Sequence, residues 1–163
     1  MKDEDDDLDM PFFVTAHEVA HQWWGHQVVG ARAQGSAIMV ESMAEYAALT
    51  VMEKRYGASH AQKFLRHELD RYLRGRTGER IREQPLIRTE NQSYIHYNKG
   101  ALALYALRDY IGEDAMNRAL SGFLGEFAFR GPPYPTARDF VAALRAETPD
   151  SLSYVIEDLF ETI

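Results

Sequence analysis

The sequence contains no cysteine, which excludes a disulfide framework and any thiolate-ligated metal and leaves the redox compartment open. No apolar run approaches the roughly 18 residues of a membrane span, and no stretch reads as a secretory signal. There is no basic stripe of the kind that tracks a phosphate backbone, so nucleic acid is not an expected partner. Internal repeats, low-complexity tracts and clear period-2 alternation are also lacking. The excess of one charge is local. The chain carries 25 acids and 18 bases, net −7, but residues 1–10 alone hold six of those acids and one base. The rest, 19 acids against 17 bases, is nearly neutral at −2. The 163 residues suit one domain with a workable core, and 45% hydrophobic with 26% charged residues is ordinary for a globular protein. The expected organisation is an acidic, mobile lead-in over 1–9 and one helical domain over 10–163.

What is present is helical period. Pro11 suits a first helical turn, and Asp9 before it favours the positive end of the dipole. The pattern predicts a helix from Pro11 to Val28, a loop over Gly30–Gly35, and a second helix over Ser36–Tyr56 closed by Gly57. A third covers Ala58–Arg74, with Phe64, Leu65, Leu69 and Leu73 as its apolar face. An irregular stretch over Gly75–Ser93 follows, broken by Gly78 and Pro85. Helices are then expected over Tyr94–Tyr110 and Glu113–Phe129, after Thr136 with Asp139 completing a capping box, and after a Ser151 cap. The fold class is therefore mainly α, with about seven helices.

The chemistry concentrates in His17-Glu18-Val19-Ala20-His21. Residues four apart on a helix are rotated by about 40° and lie about 6 Å apart along the axis, so His17 and His21 present two imidazoles to one point. That is what a tetrahedral zinc needs from two ligands. Glu18, about 100° around the helix, stands beside such a metal, where it can take a proton from the attacking water and pass it to a leaving amine. The flanking Phe12, Phe13, Val14, Val19, Ala20, Trp23 and Trp24 read as a helix apolar on nearly every side. In such surroundings three polar side chains are costly unless they act together. A third ligand is available 20 positions after His21. Glu41 ends the apolar run Ala37-Ile38-Met39-Val40, and Glu45, four further on, shares its face. Glu41 as ligand and Glu45 as the carboxylate receiving an imidazole N–H follow from that spacing.

These residues carry a resemblance. His17-Glu18-Val19-Ala20-His21-Gln22-Trp23-Trp24-Gly25 is similar to the zinc helix of the aminopeptidase N-like gluzincins. Val40-Glu41-Ser42-Met43-Ala44-Glu45-Tyr46 resembles their Asn-Glu-Gly-Phe-Ala-x-Tyr segment, agreeing in the glutamate, alanine and tyrosine and differing in the asparagine and glycine. Nineteen residues separate His21 from Glu41, one more than usual in the family and equal to the gap in thermolysin-like relatives, which also place an acid four residues after the ligand. The family's Tyr-x-Lys-Gly motif matches Tyr97-Asn98-Lys99-Gly100. The resemblance makes Tyr97 the donor to the developing oxyanion, with Tyr94 the lesser candidate. His96 is expected to be exposed, and His26, His60 and His67 are expected to be bystanders.

The resemblance implies the helical part of a zincin, thermolysin-like catalytic domain holding one Zn2+ per chain, ligated by His17, His21 and Glu41, with Glu18 as general base. The implied reaction is peptide-bond hydrolysis, of aminopeptidase type, on a peptide substrate. It also marks what the chain lacks. The Gly-x-Met-Glu-Asn motif that reads a substrate's free amine lies upstream of the zinc helix in the family, as do the strands of a β-subdomain, and neither is matched here. The expectation is a fragment of a longer bacterial protein. Its acidic lead-in resembles a subgroup in which such a domain is attached to a transporter-permease-like membrane protein, this piece staying soluble and self-associating through uncovered apolar faces. The competing function class is a zinc-stabilised docking or sensing module without turnover.

Overall fold

The structure is a computed structural model describing residues 8–163; most of the acidic lead-in falls outside the described residues. Among those described there are seven α-helices: α1 Met10–Ala20, α2 Met43–Tyr56, α3 Ala58–Gly78, α4 Gly100–Ile111, α5 Glu113–Phe127, α6 Ala137–Ala146 and the short α7 Ser153–Ile156. They include no strand, only an isolated bridge between Trp24 and Val28. None of these helices is long and apolar enough to cross a membrane.

Local chemistry sets most of the boundaries. Asp9 caps α1 by accepting the Phe12 N–H, and a proline stands in the first turn, where a missing N–H costs nothing. Gly57 closes α2 with φ +86°, its N–H bonded to Glu53 O, and Gly112 ends α4 in the same way. Thr136 and Asp139 make the expected reciprocal capping box on α6. No serine side chain caps the last segment. Pro149 precedes a 3-10 turn at Asp150–Leu152, and Leu152 at its end stands before α7, so Ser151 lies inside the turn and does not have the expected role.

α2 is the central helix, packed against α1, α3 and α4. It is buried nearly all round through Met43, Ala44, Tyr46, Ala48, Leu49 and Met52, and the core continues through Phe64, Ile95, Leu104, Phe123, Phe140 and Phe160. α1 joins this core through Phe13, whose ring stacks on Phe64 at 5.0 Å. Two readings of the apolar pattern are corrected. The outer side of the predicted helix is not buried: Phe12, Val14 and Val19 on α1, and Trp23 just beyond its end, are all substantially exposed. On α3 the buried face runs through Ala61, Phe64 and Glu68, while Leu69 and Leu73 stand out in solvent.

The helices that carry the candidate site are not regular. Residues Ile38–Ser42 and Ile95–Lys99 each form one wide π turn, leading directly into α2 and α4. Such turns are uncommon and recur at functional sites.

Candidate metal centre

α1 ends eight residues earlier than its pattern implies. Beyond Ala20 the chain turns back on itself, with Val28 N–H bonded to Trp23 O and Gly25 N–H to Val28 O, both at 3.0 Å. Gly25 has φ +108°, and a Cβ there would meet Val40 Cγ1 at 3.2 Å, so a side chain would be strained and crowded at once. Trp24 is buried against Phe140, which fixes the turn. The Trp24 carbonyl then accepts from His21 Nδ1 at 3.0 Å. With Nδ1 committed as donor, His21 keeps its Nε2 lone pair free for another partner.

His17 and His21 meet as the helical spacing requires. Their Nε2 atoms are 3.1 Å apart, and Glu41 Oε2 lies 3.5 Å from His17 Nε2 and 3.6 Å from His21 Nε2. On its other side His17 Nδ1 is 2.5 Å from Glu45 Oε2. Burial alone would lower the His17 pKa, but the carboxylates of Glu41 and Glu45 beside its two nitrogens outweigh it and raise it to about 9. Glu41 is held below the usual carboxylate range, chiefly by His17, with Tyr97 and His21 adding to the effect. The electrostatics favour positive charge at the point where the three side chains converge.

Glu41 reaches that point from the π turn over 38–42. A π turn holds one residue more than an α turn, a surplus equal to the extra residue between His21 and Glu41. Ser42, standing where the resembled motif has glycine, is completely buried, and its hydroxyl donates to His96 O at 2.5 Å. Gly100 is pressed against it: a Cβ on Gly100 would lie 2.1 Å from Ser42 Oγ. The glycine of Tyr-x-Lys-Gly therefore lets the turn bearing Tyr97 lie directly on the turn bearing Glu41.

Tyr97 is the tyrosine the structure brings to the cluster. Its ring stacks against His17 at 5.9 Å, with the Glu41 carboxylate near enough to act on its hydroxyl. Burial first, and then Glu41, push its pKa up to about 12, so it stays protonated and able to donate. Tyr94 instead packs on Tyr72 at 6.0 Å, with its hydroxyl taking a long hydrogen bond from Gln92 Nε2. His96 is half-buried rather than exposed, with its pKa lowered by burial, because its ring lies against that of Tyr97 at 4.8 Å. Glu18 is exposed beside the cluster, on the side where its charge still acts on Tyr97. His17, His21 and Glu41 are the one grouping among the described residues whose ligand atoms lie close enough together to hold a metal ion, and His26, His60 and His67 are not part of it.

The donor set fits zinc. Four ligands at about 2.0–2.1 Å in a tetrahedron stand about 3.4 Å from one another, close to the 3.1, 3.5 and 3.6 Å seen here. Two imidazoles and one carboxylate, with the Trp24 carbonyl on His21 Nδ1 and the Glu45 carboxylate against His17 Nδ1, are a known catalytic zinc combination. The sequence pattern of the Peptidase family M1 domain matches residues 3–159. The chain belongs to peptidase family M1. Human endoplasmic reticulum aminopeptidase 2 is 27% identical over 123 residues, covering 72% of this chain and 13% of that protein. Putative aminopeptidase-2 of Caenorhabditis elegans is 28% identical over 130 residues, covering 78% of this chain and 7% of that one. An M1 zinc metallopeptidase from Deinococcus radiodurans, crystallised with a Tyr-Ser-Ala substrate, shares the fold with TM-score 0.70 at 24% identity, over 91% of this chain and 32% of its own. The chain thus spans a small part of the length of the relatives it matches, and its helices correspond to the helical part of an M1 catalytic domain.

Two buried acids of this M1 chain escaped the sequence reading. Glu83, 2% exposed, sits in the irregular stretch after α3 and binds Lys99 Nζ at 2.5 Å, Arg76 Nε at 3.0 Å and the Tyr72 hydroxyl at 3.0 Å. It explains the lysine of Tyr-x-Lys-Gly as the anchor that ties the Tyr97 turn to this loop. Glu68, 1% exposed, lies on the buried face of α3. The signal for it was its place four residues after Phe64 and four before Tyr72, an acid in the middle of an apolar stripe.

Proposed function

We propose that this chain is the zinc-binding helical part of an M1 aminopeptidase that hydrolyses peptide bonds. The observation that carries the reading is the convergence of His17 Nε2, His21 Nε2 and Glu41 Oε2 within 3.6 Å of one another, with the Tyr97 ring stacked on His17 and Glu18 exposed beside it. His17, His21 and Glu41 would hold one zinc ion, which when bound polarises a carbonyl and makes water a nucleophile near neutral pH. Glu18, exposed on the open side of α1, takes the proton from the attacking water and delivers it to the departing amine. Tyr97, protonated across the physiological range, donates to the carbonyl oxygen as it gains negative charge. Glu45 and the Trp24 carbonyl fix the two imidazoles so that Nε2 of each faces Glu41.

Hydrolysis of an aminoacyl-anilide by zinc-loaded protein tests this directly. Glu18→Gln should keep its zinc and lose about a thousandfold or more in kcat, and Tyr97→Phe about a hundredfold or more. An N-acetylated substrate that is refused would place the activity among aminopeptidases, and one that is accepted would place it among endopeptidases. Glu18→Gln turning over at the wild-type rate would refute the assignment. The alternative is a zinc-stabilised docking or sensing module without turnover. Bound zinc with no turnover in wild type would favour it.

A further inference from the structure

Tyr97 borders a second space besides the metal centre. A cavity of about 500 Å³, within the size range of ligand pockets, lies between the last turns of α3 and the segment that leads into α4. Arg71, Arg74 and Gly75 line it from α3, and Tyr94, Tyr97 and Asn98 from the other side. Tyr97 is therefore shared, its ring lying on His17 and also lining this cavity. The walls are fixed from behind. Asn98 is buried, and its Nδ2 donates to Glu68 Oε2 at 2.5 Å, which ties the Tyr97 turn to α3. Tyr94 packs on Tyr72, and Gly75 lets α3 come this close, since a Cβ there would stand 2.5 Å from Tyr94 Cβ.

The α3 wall carries charge of one sign. Arg71 and Arg74 are three residues apart and so share a helix face. Both are exposed, and neither forms an ion pair among the described residues. The nearby acids are engaged elsewhere. Glu83 binds Lys99 and Arg76, and Glu79 accepts from the N–H groups of Arg80 and Ile81. Glu68, near enough for its charge to feel Arg71, is buried and bonded to Asn98. Two unpaired guanidinium groups suit a carboxylate, which their planar N–H donors match in pairs. The anions a peptide brings are its acidic side chains and its C-terminus, and the Tyr94 and Tyr97 rings offer an apolar surface to the chain between.

We infer that this cavity is a substrate subsite, in which Arg71 and Arg74 bind a carboxylate of the peptide whose scissile carbonyl stands at Tyr97. The carboxylate belongs to an acidic side chain or to the chain end, and the chemistry is the same for both. This deepens the reading of the chain as a peptidase and rests on it.

The test is peptide affinity, measured by calorimetry on zinc-loaded Glu18→Gln protein so that no turnover intervenes. Three probes separate the sources. Ala-Gln-Ala amide has no carboxylate, Ala-Glu-Ala amide has one on its side chain, and Ala-Gln-Ala with a free C-terminus has one at its end. At least one carboxylate peptide should bind about tenfold more tightly than the neutral amide, the low end for charge-assisted hydrogen bonds because both arginines are exposed. Whichever peptide gains identifies the source. The preference should shrink at high salt. In chains shown to be folded by circular dichroism, Arg71→Gln/Arg74→Gln should reduce it to within about twofold. Arg71→Glu/Arg74→Glu should invert it, so that the neutral amide binds more tightly, an outcome that a merely structural role would not produce. Equal affinity for all three peptides, or a preference that survives in the double glutamine variant, would overturn the inference. Zinc content and anilide hydrolysis of the wild-type chain are read separately. If both are present while the peptides show no preference, the subsite alone fails; if both are absent, the peptidase reading fails and the subsite with it.

Discussion

Gly100→Ala is the substitution that probes how the two halves of the site are joined. The added Cβ would stand 2.1 Å from Ser42 Oγ and 2.7 Å from Ser42 Cβ, where protein Cβ atoms keep at least 3.0 Å. Ser42 cannot swing away without giving up its bond to His96 O, and it is fully buried. The turns carrying Glu41 and Tyr97 must therefore part by about 1 Å, a displacement of the size that costs an enzyme about a hundredfold. Overpacking of this kind costs about 1–3 kcal/mol. At about 2–4 °C per kcal/mol for a chain of this size, the melting temperature should fall by about 2–12 °C. Zinc should also dissociate more readily, because Glu41 adjoins the displaced Ser42. The remedy is specific: Ser42→Gly removes both atoms in the way, and the next contact of the new Cβ, Ile95 O at 3.5 Å, is ordinary. Thermal unfolding and chelator competition on Gly100→Ala and Ser42→Gly/Gly100→Ala read the effect. A Gly100→Ala chain melting within about 1 °C of wild type, or a double variant that recovers nothing, would refute the reasoning.

Two further predictions concern the buried acids. Lys99→Met leaves Glu83 buried with only Arg76 and Tyr72, and should destabilise the chain by about 1–3 kcal/mol, less than a fully enclosed pair because Arg76 is partly exposed. Glu83 is held below its ordinary pKa, with Lys99 overcoming burial, so its contribution is present above about pH 4.5 and is lost as pH falls through its folded value. The gap between wild type and Lys99→Met in urea unfolding should therefore narrow as pH falls below the ordinary carboxylate range, and a gap independent of pH would contradict the charge pairing. Glu68 has the opposite sign. With a folded pKa of about 7 against 4.5, its contribution is full below about pH 4.5 and is lost as pH rises through 7. Glu68→Gln should thus gain on wild type between pH 5 and 8 in the same assay, and parallel curves would show that Glu68 does not titrate there.

Some of this was legible in the sequence because it depends on spacing and local chemistry. His17 and His21 converge through helix geometry alone, and Glu41 and Glu45 share a face by the same rule. The caps at Asp9, Gly57 and Thr136 likewise depend on nearby backbone. The end of α1 was not legible. Trp23 and Trp24 prolong the apolar pattern, and the stop is set by a positive φ at Gly25 and by the docking of Trp24 on Phe140, more than a hundred residues away. The buried face of α3 was misread because Leu69 and Leu73 outrank an acid in hydrophobicity, whereas Glu68 is buried and accepts from Asn98 of the Tyr97 turn. The π turns at 38–42 and 95–99 leave no trace in apolar period, since each shifts register within a single turn before regular helix resumes.

The central claim is that His17, His21 and Glu41 together hold zinc, and metal content per chain tests it most directly. After zinc repletion and removal of excess, the wild-type protein should carry about one zinc per chain. His21→Ala and Glu41→Ala should carry almost none, while Glu18→Gln stays loaded. A wild-type chain without zinc, or ligand variants loaded as fully as wild type, would contradict the account.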